Sequence, residues 1–148
     1  MRLPKYQLKS DDELFSYQFI SEGPKGLIVK RIQFTLINED GIYNLAFGDK
    51  NPVSGEIDDF AISNNGDSEK VLATVIAAVY AFFDKHPSSW IYAVGSTSTR
   101  TRLYRMGITK YFDEMRADFK IYGEYNGEWE PFEKGKDYTA FLTEFKTD

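Results

Sequence analysis

Polar and apolar positions alternate through residues 27–37. Ile28, Lys30, Ile32, Phe34 and Leu36 fall on one side; Val29, Arg31, Gln33, Thr35 and Ile37 fall on the other. That two-residue period is the mark of a strand. The first set is the better core face, and Lys30 is its misfit. Residues 14–20, a mixture of aromatic and aliphatic positions, predict a strand before it, joined across the turn residues Ser21 to Gly26. Asp40-Gly41 favours a hairpin turn, because this pair accepts positive φ at low cost. Residues 42–47 return as a strand, and residues 55–63 suggest one more. The first 62 residues therefore read as an antiparallel meander.

The period then changes. Val71, Leu72, Val75, Ile76, Val79, Tyr80, Phe82 and Phe83 recur at helical spacing, as on a helix laid against a sheet. The pattern predicts a helix over 67–85, started by Asp67 or Ser68 and stopped by Pro87. Residues 90–94 form a short apolar strand. Residues 99–106 predict a second helix ended by Gly107, and Thr109 opens a third running to about Ala117. Asn126-Gly127 is the strongest hairpin signal in the chain, between strands at 119–125 and 128–132. The tail, 138–146, fits either a helix or a last strand, and we expect the strand. The order of elements defines an α+β fold: a mainly antiparallel sheet with two to three helices packed on it. A β-α-β crossover from 90–94 to 119–125 can place a parallel pair in the second half.

The 148 residues suit a single domain spanning 1–148. The chain has no cysteine, which removes disulfides, thiolate metal sites and a cysteine nucleophile. No run approaches the roughly 18 apolar residues of a membrane span, so we expect no membrane partner and a cytoplasmic location. A net charge of −5 argues against a surface coated for nonspecific nucleic-acid binding, without excluding a local basic patch. Aromatic residues reach 16%, with 12 Phe, 10 Tyr and 2 Trp, enough to fill a core and to cover sheet faces as well.

One stretch stands out chemically. Gly95-Ser96-Thr97-Ser98-Thr99-Arg100-Thr101-Arg102-Leu103-Tyr104-Arg105 lies where an apolar strand meets a helix. Free amides at a helix start, serine and threonine hydroxyls and guanidinium forks together suit an anion. Arginines there also oppose the helix dipole, at a cost of about 0.3–1 kcal/mol each. The candidate binding residues are Ser96, Thr97, Arg100, Arg102, Tyr104 and Arg105, for a phosphate-bearing ligand or nucleic acid. The alternative use of these arginines is pairing with Glu56, Asp58 and Asp59, or simple solvation. Leu103 is expected in the core, and Tyr104 is open between core and pocket. His86, the lone histidine, sits at a helix end before Pro87 and reads as structural. Glu56, Asp58 and Asp59 do not share a strand face, so no metal or cofactor is expected.

The run Gly95-Ser96-Thr97 with Arg100-Thr101-Arg102-Leu103-Tyr104, followed by Trp129-x-Pro131-Phe132 and Tyr138-x-Ala140-Phe141-Leu142, resembles a family of small uncharacterised proteins found mainly in Bacteroidetes. That resemblance implies a single-domain architecture only, since the family carries no established activity to transfer. The order of helix, strand and Arg102-Leu103-Tyr104-Arg105-Met106-Gly107-Ile108 resembles the second half of GCN5-related acetyltransferases, which implies an acyl-CoA site. Where that family carries a glycine-rich pyrophosphate loop, residues 63–69 here hold one glycine and two acids. Three functions follow. The first expectation is a non-enzymatic binding module with an anion site at the Ser96–Arg105 turn. The others are a divergent acyltransferase-like enzyme with a degenerate CoA site, and an interaction or assembly protein using an aromatic sheet face.

Overall fold

A computed structural model describes residues 5–13, 15–58, 65–95 and 97–146. Leu14, Ser96, Asp59 and the end of the strand expected at 55–63 lie outside the described residues. The elements are β1 (Lys9–Ser10), β2 (Ser16–Gly23), β3 (Gly26–Leu36), β4 (Ile42–Lys50), β5 (Ile57–Asp58), α1 (Ser68–Lys85), β6 (Trp90–Ala93), α2 (Ser98–Asp118), β7 (Phe119–Tyr125), β8 (Glu128–Pro131) and β9 (Ala140–Phe145). Among the described residues the strands form one mixed, mostly antiparallel sheet in the order β1-β2-β3-β4-β6-β9-β7-β8, with β5 paired to β4. Two helices pack on it, and the class is α+β. Contacts divide the chain into two compact units, Met1–Phe34 with Ala46–Lys85 and Thr35–Leu45 with His86–Asp148.

The first unit follows its sequence pattern closely. β2 and β3 pair antiparallel from Ser16↔Gln33 to Gly23↔Gly26, so the turn is the two residues Pro24-Lys25, tighter than the six-residue turn expected. Asn65 pins this tip: its side chain accepts from the Lys25 amide at 2.7 Å and donates to the Gly26 carbonyl at 3.0 Å. Lys30, Ile32 and Phe34 are buried as the alternation predicts, against Tyr17, Phe19 and Phe47. The apolar stripe of α1 closes this core, with Phe82 stacked on Phe34 at 4.4 Å between ring centroids. The Tyr17 hydroxyl is buried with no protein partner among the described residues, and burial, aided by Asp11, raises its pKa. A buried hydroxyl without a partner forfeits its hydration for nothing. Tyr17→Phe is therefore expected to leave stability within about 0.5 kcal/mol of the parent or to raise it by up to about 1 kcal/mol, measured by urea unfolding.

In the second unit β6 runs parallel to β4, in register from Ile42↔Trp90 to Leu45↔Ala93. β9 pairs antiparallel with β6 on one side and with β7 on the other. The crossover expected between 90–94 and 119–125 is present, and its two strands are parallel, but β9 lies between them. The tail is thus a strand, paired along both edges. The Asn126-Gly127 hairpin forms as read, with both residues at positive φ (52° and 80°).

Gly107 does not end a helix, and Thr109 does not start another: α2 is continuous through both. An interior glycine costs a helix only about 1 kcal/mol relative to alanine. Gly107 is buried, and Tyr104, Tyr111 and Met115 on either side of it are buried too, so packing outweighs that cost. Alternation separates the two faces of the strands. Ile91, Ala93, Phe119, Ile121, Phe141 and Thr143 are buried on the side that receives α2, where Phe112 meets Phe132 at 5.1 Å.

Candidate functional site

The Ser96–Arg105 turn sits at the start of α2. Thr97 is the N-cap, with extended backbone, and its hydroxyl accepts from the Arg100 amide at 3.2 Å. The Thr101 hydroxyl accepts from the Gly95 amide at 3.0 Å and donates to the Thr97 carbonyl at 3.2 Å. Gly95 is required here: a Cβ on it would lie 2.3 Å from the Thr101 nitrogen. The hydroxyl-rich run is therefore at least partly a capping device that ties β6 to α2.

The arginines diverge. At about 100° per residue, Arg102 and Arg105 lie about 60° apart on the helix, and Arg100 lies about 140–160° from both. Arg105 pairs with Asp137 at 3.1 Å, Arg102 is exposed, and Arg100 is half-buried. No acid stands in the first turn of α2. Tyr104 is 7% exposed and belongs to the core. Leu103, expected in the core, is only partly buried.

Other sequence candidates have structural surroundings. The His86 ring stacks with Tyr43 at 6.3 Å. At the start of α1, where the acyltransferase resemblance implies a pyrophosphate loop, the Asp67 carboxylate accepts from the Ser21 hydroxyl at 2.5 Å and the Tyr6 hydroxyl at 2.6 Å. Among the described residues no three acids or histidines gather as a metal site.

An aromatic sheet face, the surface that an interaction or assembly protein would use, lies on the side of the second unit's sheet opposite α2. The register sets Trp90 opposite Glu144, Tyr92 opposite Leu142, Leu142 opposite Tyr122, and Glu124 opposite Trp129. Directly opposed residues share a face, so one surface carries both tryptophans of the chain, two tyrosines and a leucine. Trp90 meets Tyr122 at 6.1 Å, and Tyr92 meets Trp129 at 6.2 Å with the rings 69° apart. Trp129 is 42% exposed; Trp90, Tyr92, Tyr122 and Leu142 are half-buried. Lys120, Glu124 and Glu144 supply the charge. Burial raises the Tyr92 pKa, and the nearby Glu124 carboxylate adds to it.

Fold and face together define a small α+β protein with a helix on one side of its second unit's sheet and an aromatic surface on the other. The chain belongs to the DUF6934 family, a family of unknown function, which matches residues 2–146. No curated protein and no solved structure matches it. Among the described residues no helix is long and apolar enough to cross a membrane.

Proposed function

We propose that this protein is a non-enzymatic binding module that meets its partner with the aromatic sheet face of its second unit. The observation that carries this reading is the gathering of both tryptophans with Tyr92, Tyr122 and Leu142 on the side away from α2. A sheet face turned from the core is normally polar. Grouped aromatic side chains there give large contact area at low conformational cost and are the usual anchors of binding surfaces. The only histidine is engaged in packing and there is no cysteine, so proton-transfer and nucleophilic chemistry find little support.

The test follows the two indole N–H resonances by NMR while a basic peptide, an acidic peptide, a single-stranded oligonucleotide and an oligosaccharide are added in turn. At least one is expected to shift both indoles, and Trp129→Ala is expected to remove that response while the melting temperature stays within 2 °C or so of the parent, as for an exposed site. Silence of both indoles with every probe would sink the reading.

A second reading keeps the Ser96–Arg105 turn as an anion site. It is favoured by the absence of an acid in the first turn of α2 and by the exposure of Arg102. Inorganic phosphate would then perturb the Thr97, Arg100 and Arg102 amides, and Arg100→Ala with Arg102→Ala would abolish the effect.

A further inference from the structure

We infer that the corner formed by Tyr92, Trp129 and Glu124 accepts a cationic side chain, lysine or arginine, from a basic peptide segment of a partner protein. This inference rests on the aromatic face being a binding surface. Three observations on that face converge. The rings of Tyr92 and Trp129 stand 69° apart with centroids at 6.2 Å, an edge-to-face pair whose ring faces look in two directions rather than forming one flat stacking platform. Their π faces carry negative charge density, which attracts an ammonium or guanidinium lying within about 6 Å of a ring centroid.

Glu124 is the second observation. It is directly opposite Trp129 across the β7–β8 pair and opposite Ala140 across the β7–β9 pair. Its carboxylate accepts a hydrogen bond from the Thr139 hydroxyl at 3.2 Å and has no ion-pair partner among the described residues. The carboxylate of this half-buried residue thus has a hydroxyl donor but no paired cation among the described residues, and its charge acts on the Tyr92 hydroxyl.

The third observation is the charge pattern around the corner. Lys120, the basic residue of β7 on this face, stands opposite Glu144. It is four residues from Glu124, about 13 Å along the strand at roughly 3.3 Å per residue. On the strands of this face, the end that holds Trp129 carries Glu124 and no lysine or arginine, in a chain whose net charge is −5. Phosphates of a nucleic acid stacked on these rings would approach Glu124 and Glu144, which disfavours that occupant. A neutral sugar would leave the Glu124 charge unanswered. A cation answers both the charge and the ring geometry.

The experiment uses the full chain and a tetra-lysine peptide, read by tryptophan fluorescence and by the two indole resonances. The fully acetylated peptide is the neutral control. Tetra-lysine is expected to give a saturable response that weakens as salt is raised, since exposed charge attraction is screened. Glu124→Gln, which keeps an acceptor for Thr139, is expected to weaken it at least tenfold, and Trp129→Ala to abolish it. If the acetylated peptide binds equally well, the cation specificity is wrong while the aromatic surface stands. If tetra-lysine binds unchanged in Trp129→Ala or Glu124→Gln, the corner is not its site and the inference falls. If tetra-lysine gives no response while an oligosaccharide or oligonucleotide shifts the indoles, the inference falls and the face keeps its binding role. If no probe shifts them, both fall.

Discussion

Lys30→Ala is expected to lower the unfolding free energy by about 3–5 kcal/mol, the range for removing one partner of a buried ion pair. Lys30 stands in the middle of β3 on the core-facing side and is 6% exposed. Its ammonium donates to Asp49 Oδ1 at 2.5 Å, with side chains 8% and 18% exposed, and lies 5.9 Å from the centre of the Phe47 ring. Truncation leaves the Asp49 carboxylate without this cation in a place that water reaches poorly, and removes the aliphatic stem that fills space beside Phe47. The two losses can be separated. Lys30→Met retains most of the stem, so its cost isolates the charge. Lys30→Met combined with Asp49→Asn removes both charges and is expected to recover half or more of the lost stability. Urea unfolding of the three variants decides it, and a Lys30→Ala cost under about 1 kcal/mol would show that the pair contributes no more than an exposed one.

Tyr138→Ala is the second large effect, at about 3–5 kcal/mol for loss of a buried aromatic side chain. Tyr138 is 1% exposed and its ring packs with Phe132 at 5.3 Å and with Phe141 at 6.2 Å. Its hydroxyl accepts from the Glu133 amide at 3.0 Å and donates to the Glu130 carboxylate at 3.0 Å. Lys136, 2.7 Å from the same carboxylate, holds the Glu130 pKa below the usual range. Tyr138→Phe keeps the ring and loses these bonds, so a cost of about 1–2 kcal/mol is expected. The ring also explains Gly123: a Cβ there would come within 2.3 Å of Tyr138. Gly123→Ala is thus expected to cost about 1–3 kcal/mol by overpacking. Placed in the Tyr138→Ala background, the same change should cost less, because the space has been opened. Thermal melts of the four proteins measure that coupling; strictly additive costs would show that Gly123 and Tyr138 do not compete for one volume.

Much of the fold was legible because its signals are local. The alternation of β3 identified its buried face, including Lys30, and the Asn126-Gly127 turn identified the β7–β8 hairpin. The insertion of β9 was not legible, since it depends on pairing between strands far apart in the chain. Gly107 misled because a stop signal was weighed without the packing on either side of it. The candidate site divided along the same line. Three arginines were plain in the sequence, but their directions follow from a helix that splays them. Trp90 and Tyr92 were read within a uniformly apolar strand. In the fold they alternate with the buried Ile91 and Ala93, a two-faced pattern that four apolar residues in a row conceal. Trp129 stands on a hairpin far along the chain from Tyr92, and only the register of β6, β9, β7 and β8 brings the two together.

The position of β9 has a consequence for how the protein comes into being. β7 and β8 are joined by a two-residue turn, so their pairing is local in the chain. β6, made earlier, keeps one edge open until residues 140–145 arrive, because its neighbour on that side is β9. The order of strands along the chain is therefore not their order in the sheet. Among the described strands β9 is what joins β6 to β7, so the second unit's sheet is complete only with residues 140–145 in place. Without β9, Trp90 and Tyr92 would share no surface with Trp129, so a chain cut short before residue 140 would carry aromatic residues of the face without the face itself.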